Sequence, residues 1–246
     1  MKAAQTPAEK DALEKRYQKA RRSGAARGAD QEIESFEKAT TASKAVIARP
    51  ARELDRLAES PQELFATYYK MLEAEIRLPH GNQWDLLRRN ADDVLFPGYK
   101  REIQFAALSL DGVGLSNYGE CSFVLRDDMI AHRASVFEGN SAVLMRRKKY
   151  ELPPGFRVSW GERAKLCVAK LAETIDPGTP DAQFVGILLQ AGPSSEDDSF
   201  IEVHIWGPMS IWTVERVVIS ASGRKSFRKA LRDRLQAVGV VLEEAS

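Results

Sequence analysis

The chain has 246 residues, 43% of them hydrophobic, with 36 Lys and Arg against 35 Asp and Glu for a net charge of +1. That size predicts one or two globular domains that fold without disulfides or metal, and the near-neutral balance argues against wholesale coating of nucleic acid. Two cysteines, Cys121 and Cys167, are too few for a disulfide framework or a four-cysteine zinc site, and no apolar run reaches the ~18 residues of a membrane span.

The N-terminal stretch MKAAQTPAEK has no apolar core of the kind a Sec signal peptide carries. TPAE (6–9) is a capping box with proline at the first helical position, predicting a helix to about Arg22. SGAARGAD (23–30) interrupts it, and a second helical pattern runs through Ile33, Phe36, Ala45 and Ile47 to Pro50. SPQE (60–63) repeats the capping signature and predicts a third helix with Leu64, Tyr68, Met71, Leu72 and Ile76 on one stripe, ended by Pro79 and HGN (80–82). Trp84 to Leu95 reads as a fourth. The first 58 residues carry few large apolar groups, so residues 1–95 are expected to be a helical region serving as an arm, a linker or a partner-binding surface.

Beyond Pro97 the period changes from 3.6 to 2, and residues 96–246 read as an α+β unit. IQFAALSL (103–110), ECSFVLR (120–126) and RASVF (133–137) are strand candidates, separated by the turn-rich DGVGLSNYG (111–119) and followed by EGNS. WGERAKLCVAKLAETI (160–175) is a helix with Ala164, Val168, Leu171 and Ile175 on one face; FVGILLQ (184–190) reads as a buried strand. An exposed acidic loop, GPSSEDDS (192–199), leads into FIEVHIW (200–206), then a GPMS turn, TVERVVIS (213–220) and the basic helix SFRKALRDRLQAV (226–238). Hairpin-length links near the end predict a mainly antiparallel sheet.

Familiar catalytic signatures are absent: GxxxxGK[ST], GxGxxG after a strand, HExxH, GxSxG and CxxC do not occur, and the three histidines are too dispersed to predict a metal site. What remains is the alternation of residues 200–206. Ile201, Val203 and Ile205 fall on one face; Phe200, Glu202, His204 and Trp206 fall on the other. A carboxylate between aromatic neighbours costs several kcal/mol to desolvate unless something pairs with it, so Glu202 is either bonded to a fixed partner or kept for a ligand. His132 and Arg133 are the candidates upstream.

YGECSFVLRDDMIAHRASVFEGNS (118–141) resembles a pattern of ADP-ribosyltransferase-like domains in bacterial toxins and phage-associated proteins: a YG-led strand, an RxTF-type strand and a GDS turn. FIEVHIWGPMSIWTVERVVI (200–219) resembles the same families' terminal strand, roughly EAQ(I/V)xGG, with the strand that follows. The matches cover roughly 100–220. The resemblance implies a mainly antiparallel split-sheet domain that uses NAD as a substrate without metal, with Glu202 as catalytic carboxylate and His204 beside it. Arg133, with His132 beside it, would hold a phosphate or ribose of NAD, Ser135 and Ser141 would support the pocket wall, and Tyr118 would stack on the nicotinamide ring. The implied setting is a bacterial toxin or phage-linked effector, cytoplasmic or delivered into a target cell, with a macromolecular acceptor and an inhibitor or partner protein on the N-terminal helices.

The sequence departs from the pattern at Asn140, where aspartate is common, at His204, where glutamine is usual, and at Phe200, where many such transferases carry a second acid. The alternative is a non-enzymatic nucleic-acid- or protein-binding module using the basic runs MRRKKY (145–150) and GRKSFRKALRDR (223–234). An inactive transferase fold kept as a scaffold is a third.

Overall fold

Thr6 caps the first helix, its Oγ1 accepting from the Glu9 N–H at 3.4 Å with Pro7 in the first turn. In the computed structural model, which describes residues 6–74, 83–194, 196–219 and 225–245, that helix (α1, Pro7–Arg27) is followed by α2 (Asp30–Thr41), strand β1 (Lys44–Arg49), α3 (Ala51–Glu59), α4 (Tyr68–Glu73) and α5 (Gln83–Leu95). Next come β2 (Ile103–Ser109), β3 (Cys121–Leu125), α6 (Asp127–Ile130), β4 (Ala134–Phe137), α7 (Ser141–Arg147), β5 (Arg157–Ser159), α8 (Arg163–Leu171) and α9 (Phe184–Leu188). The last elements are β6 (Glu202–Trp206), β7 (Val214–Ile219), α10 (Lys225–Ala237) and β8 (Val241–Glu244).

The fold is mixed α and β around an eight-stranded sheet of order β5-β4-β6-β2-β1-β3-β7-β8, antiparallel except where β8 runs parallel to β7. One face is sealed by apolar helices. Leu13 of α1, Ile33 and Phe36 of α2, and Leu166, Val168 and Leu171 of α8 are buried with Ile47, Leu108, Phe123, Val203 and Ile205 of the sheet. Phe36 meets Phe184 edge-to-face at 5.3 Å between ring centroids. Cys121 and Cys167 belong to this core, and burial pushes both thiols up to about 12.

Several expectations are corrected. KAVIAR (44–49) is not the tail of a helix but β1, between β2 and β3 near the middle of the sheet. Its burial on both faces gives a continuous apolar run rather than an alternation, and such a run does not distinguish strand from helix. The N-terminal residues are therefore no extended arm: they supply a sheet strand and one face's helical cover. SPQE opens no helix; α4 starts at Tyr68 with Thr67 as its cap, and the end expected at Pro79 and HGN lies outside the described residues. FVGILLQ holds helix α9, where Phe184 and Leu188 are the buried positions, an i, i+4 spacing. β6 and β7 form no hairpin, because β2, β1 and β3 stand between them.

One detail of register positions everything that follows. β1 and β2 pair only at Lys44–Ser109, Ala45–Leu108 and Val46–Ala107. Beyond that point β1 continues along β3 while β2 continues along β6, so the sheet parts between Ile47–Arg49 and Phe105–Ala106.

Candidate functional site

A cavity opens on the second face of the sheet where β1 and β2 part. It spans about 720 Å³ with its solvent-open mouth counted. Ala48 and Ala107 give it a floor of small side chains; Tyr68, Leu115, Tyr118 and Phe200 are among its walls, and Arg49, Arg88 and Glu202 are its charged residues.

Glu202, the first residue of β6, is 2% exposed. Its Oε1 accepts from Arg88 at 3.1 Å, and its Oε2 accepts from the Ser141 backbone N–H at 2.7 Å and is 2.9 Å from His204 Nε2. Burial alone raises a carboxyl pKa; here Arg88, His204 and Ser141 together overturn that and hold Glu202 down at about 2. Oε1, on a cavity-wall residue, accepts from Arg88, and a carboxylate oxygen has the lone pairs to accept from a second donor as well.

Arg88 comes from α5, which crosses this face of the sheet with α7. Its guanidinium donates to Ser141 Oγ at 2.8 Å and Asn140 Oδ1 at 3.3 Å, lies 3.8 Å from Asp92 Oδ1, and covers the Phe105 ring at 4.4 Å. Burial works against the Arg88 charge, but Glu202 and Asp92 more than offset it, so the guanidinium stays charged. Asp92 is fully buried, accepts from Tyr69 Oη at 2.8 Å, and is raised to about 6 by burial in spite of Arg88. Tyr68 and Asp85 make a further short hydrogen bond beside it. Asn140 caps α7, its Oδ1 accepting from the Ala142 N–H at 3.1 Å as well as from Arg88. The asparagine thus bonds Arg88 without placing another anion beside Glu202.

His204 does not line the cavity. It is 0% exposed and boxed by the rings of Phe137, Phe96 and Phe105, at 4.6, 4.9 and 5.3 Å between centroids. Burial lowers its pKa while Glu202 pulls the other way, leaving a neutral ring. Among the sequence candidates the structure therefore groups Glu202, His204 and Ser141, with Tyr118 on the same cavity and Ser135 directly across the sheet from His204. Gly119 permits the placement of Tyr118. Its φ is +149°, and a Cβ there would fall 2.1 Å from the Arg49 carbonyl carbon, so only glycine lets this loop press on the end of β1.

Arg133 and His132 are not part of the site. Arg133 donates to the carbonyls of Met129, Trp206 and Pro208, at the opposite end of β6 from Glu202. Trp206 is four residue steps along the strand from Glu202, roughly 13 Å. His132 is exposed in a 3-10 turn. The β-rich run RASVF placed Arg133 on a strand, whereas the strand begins one residue later, and the side chain serves the turn.

Arg88, Asp92 and Tyr69 escaped the sequence reading, and so did Arg49. The signal in WDLLRRNADDVL was an inversion of the expected pattern: Asp85, Arg88 and Asp92 share the buried face with Ala91 and Leu95, while Leu86 and Val94 are 54% and 52% exposed. A helix that buries three charged residues while exposing Leu86 and Val94 is organised around something polar beneath it. Among the described residues, no group of His, Cys, Asp and Glu side chains is placed to hold a metal ion, and no helix is long and apolar enough to cross a membrane. The chain matches no protein-family model and no curated protein.

Proposed function

We propose that the chain is an NAD-dependent ADP-ribosyltransferase or NAD glycohydrolase, with Glu202 as its catalytic carboxylate. The observation that carries this is a carboxylate kept ionised by three fixed donors in the wall of a sheet cavity, with Tyr118 in the same cavity. The mainly antiparallel sheet and the place of Glu202 at the start of β6 support the same reading. In the reaction, the bond between nicotinamide and ribose C1′ breaks and its electron pair leaves with nicotinamide. The ribose becomes an oxocarbenium ion, and water or an acceptor group forms the new bond to C1′ and gives up its proton. A preorganised anion is worth most where positive charge develops, and Glu202 supplies one.

Arg49, the last residue of β1, lines the cavity and takes the phosphate-holding role that Arg133 cannot. A guanidinium fork suits phosphate, and Tyr118, a wall residue of the same cavity, is our candidate to stack on the nicotinamide ring. The setting we propose is a bacterial toxin or phage-linked effector acting on a macromolecular acceptor.

The test is nicotinamide release from NAD by the purified chain. Glu202→Gln is expected to lower the rate at least 100-fold, the scale of removing one preorganised electrostatic group. Full activity in that variant overturns the assignment. If NAD is untouched, while DNA or RNA binds with a steep salt dependence through the exposed run Arg146–Lys149, the binding-module alternative replaces it.

A further inference from the structure

His204 Nδ1 and Ser135 Oγ are both buried and without a hydrogen-bond partner among the described residues. Orphaned polar atoms are rare in protein interiors because each forfeits its hydration without compensation. Two of them on facing residues call for a joint explanation. Ser135 and His204 are direct partners in the β4–β6 register, so their side chains share a face and their Cβ atoms stand about 5 Å apart. Both residues are 0% exposed.

The chemistry of the ring fixes what each nitrogen does. Nε2 lies 2.9 Å from the ionised Oε2 of Glu202, which only accepts, so Nε2 carries the proton. In a neutral imidazole Nδ1 is then a bare acceptor. Phe96, Phe105 and Phe137 occupy the ring's other neighbouring positions and offer no donor. The hydroxyl of Ser135 is a donor, and its direction is set by the choice of χ1 rotamer on a residue that faces His204.

We propose that Ser135 and His204 are positioning residues for Glu202: the Ser135 hydroxyl donates to His204 Nδ1, which locks the tautomer whose Nε2–H holds the Glu202 carboxylate facing the cavity. The array is connected from the β4–β6 pair to the cavity wall, and it assigns a role to two buried polar residues that touch no ligand. It rests on the proposed function only in what the oriented carboxylate is for. The charged groups that face the imidazole are Glu202 on its own strand, Arg88 from α5 and Arg157 from β5. The two arginines oppose protonation of the ring, Glu202 favours it, and the Ser135 hydroxyl adds to the arginines' side by stabilising the neutral form.

The experiment is nitrogen NMR of the full chain labelled with ¹⁵N-histidine, the His204 signals being assigned by elimination with H80Q and H132Q. The expected wild-type result is a neutral His204 with the proton on Nε2. Ser135→Ala is expected to raise the His204 pKa by about half a unit to one unit, the worth of one net hydrogen bond, and Ser135→Thr to restore it. A wild-type proton on Nδ1, or an S135A variant with unchanged His204 shifts and titration, overturns the array, and the first of these needs no variant to fold. In nicotinamide release, S135A is expected to lower kcat about three- to tenfold at constant KM, with S135T restoring it. A simultaneous rise in KM points to a general loosening and overturns the positioning role. A wild-type chain that releases no nicotinamide overturns the proposed function, while the tautomer measurement still decides the array.

Discussion

The two faces of the sheet are packed on opposite principles. On one, α1, α2 and α8 close over Ile47, Phe123 and Val203 with mainly apolar groups, Thr40 of α2 and Arg163 of α8 being buried exceptions. On the other, α5 and α7 close over Glu202 and His204 by importing Arg88, Asp92 and Asn140 into the interface. The first face draws its stability from area removed from water, which tolerates many sequences of similar volume. The second depends on complete pairing of a few charges, and loses far more when one member is removed than when all are replaced. That difference separates the part of the molecule that maintains the fold from the part we propose is arranged for a ligand.

The largest expected effects set one face against the other. Arg88→Ala strands Glu202 as a buried unpaired anion and is expected to cost about 3 to 5 kcal/mol in denaturant unfolding. Phe36→Ala is expected to cost a similar 3 to 5 kcal/mol by leaving a cavity. The losses then diverge on rescue. The double variant R88M/E202Q recovers at least half of the first loss, because the charges are removed together. Strict additivity of those two substitutions in the same unfolding experiment refutes the coupled-pair description.

A smaller effect appears in the pH dependence. Asp92 is raised from its ordinary 3.8 to about 6, so between those values the folded state binds the proton that the unfolded state has released. Its contribution therefore falls as pH rises from about 4 to 6, by about 3 kcal/mol at most. Glu202, held at about 2, has the opposite sign: its contribution is complete above its ordinary 4.5 and is lost as pH falls toward 2. Asp92→Asn keeps an acceptor for Tyr69 and is expected to be more stable than the wild type at pH 8, with the fall between pH 4 and 6 gone. Thermal melts across pH 3–9 measure both, and an unchanged pH profile would remove Asp92 from the network. The smallest effect sharpens the boundary of the site. Arg133→Ala gives up carbonyl contacts worth about 1 kcal/mol and leaves nicotinamide release unchanged, since its guanidinium lies at the far end of β6. A loss of NAD binding in that variant would return Arg133 to the site.

Much of the fold's punctuation was legible. The Thr6 cap, the strands at 103–109, 121–125 and 134–137, and the basic helix before β8 follow from capping residues and from periods of 2 and 3.6. The readings that failed share a cause. KAVIAR and FVGILLQ are short apolar runs without a decisive period, and their identity came from what surrounds them: β1 lies between two strands, while α9 has solvent on one side. At the site, Glu202 and His204 stood out because an acid and an imidazole alternate on a strand with aromatics. Arg88 did not, because one of two adjacent arginines on a charged helix carries no mark of which face will be buried.

The sequence by itself determined that Glu202 and His204 share a strand face, and that Tyr118 precedes a glycine able to lie against another backbone, because side-chain direction and allowed φ are local properties of the chain. Which guanidinium meets the carboxylate was decided only by tertiary structure. Arg133 is 69 residues before Glu202 and Arg88 is 114, and the nearer one lost. The register that pairs β4 with β6 carries Arg133 to the wrong end of the strand, and the crossing of α5 over the parted β1 and β2 brings Arg88 to the right one.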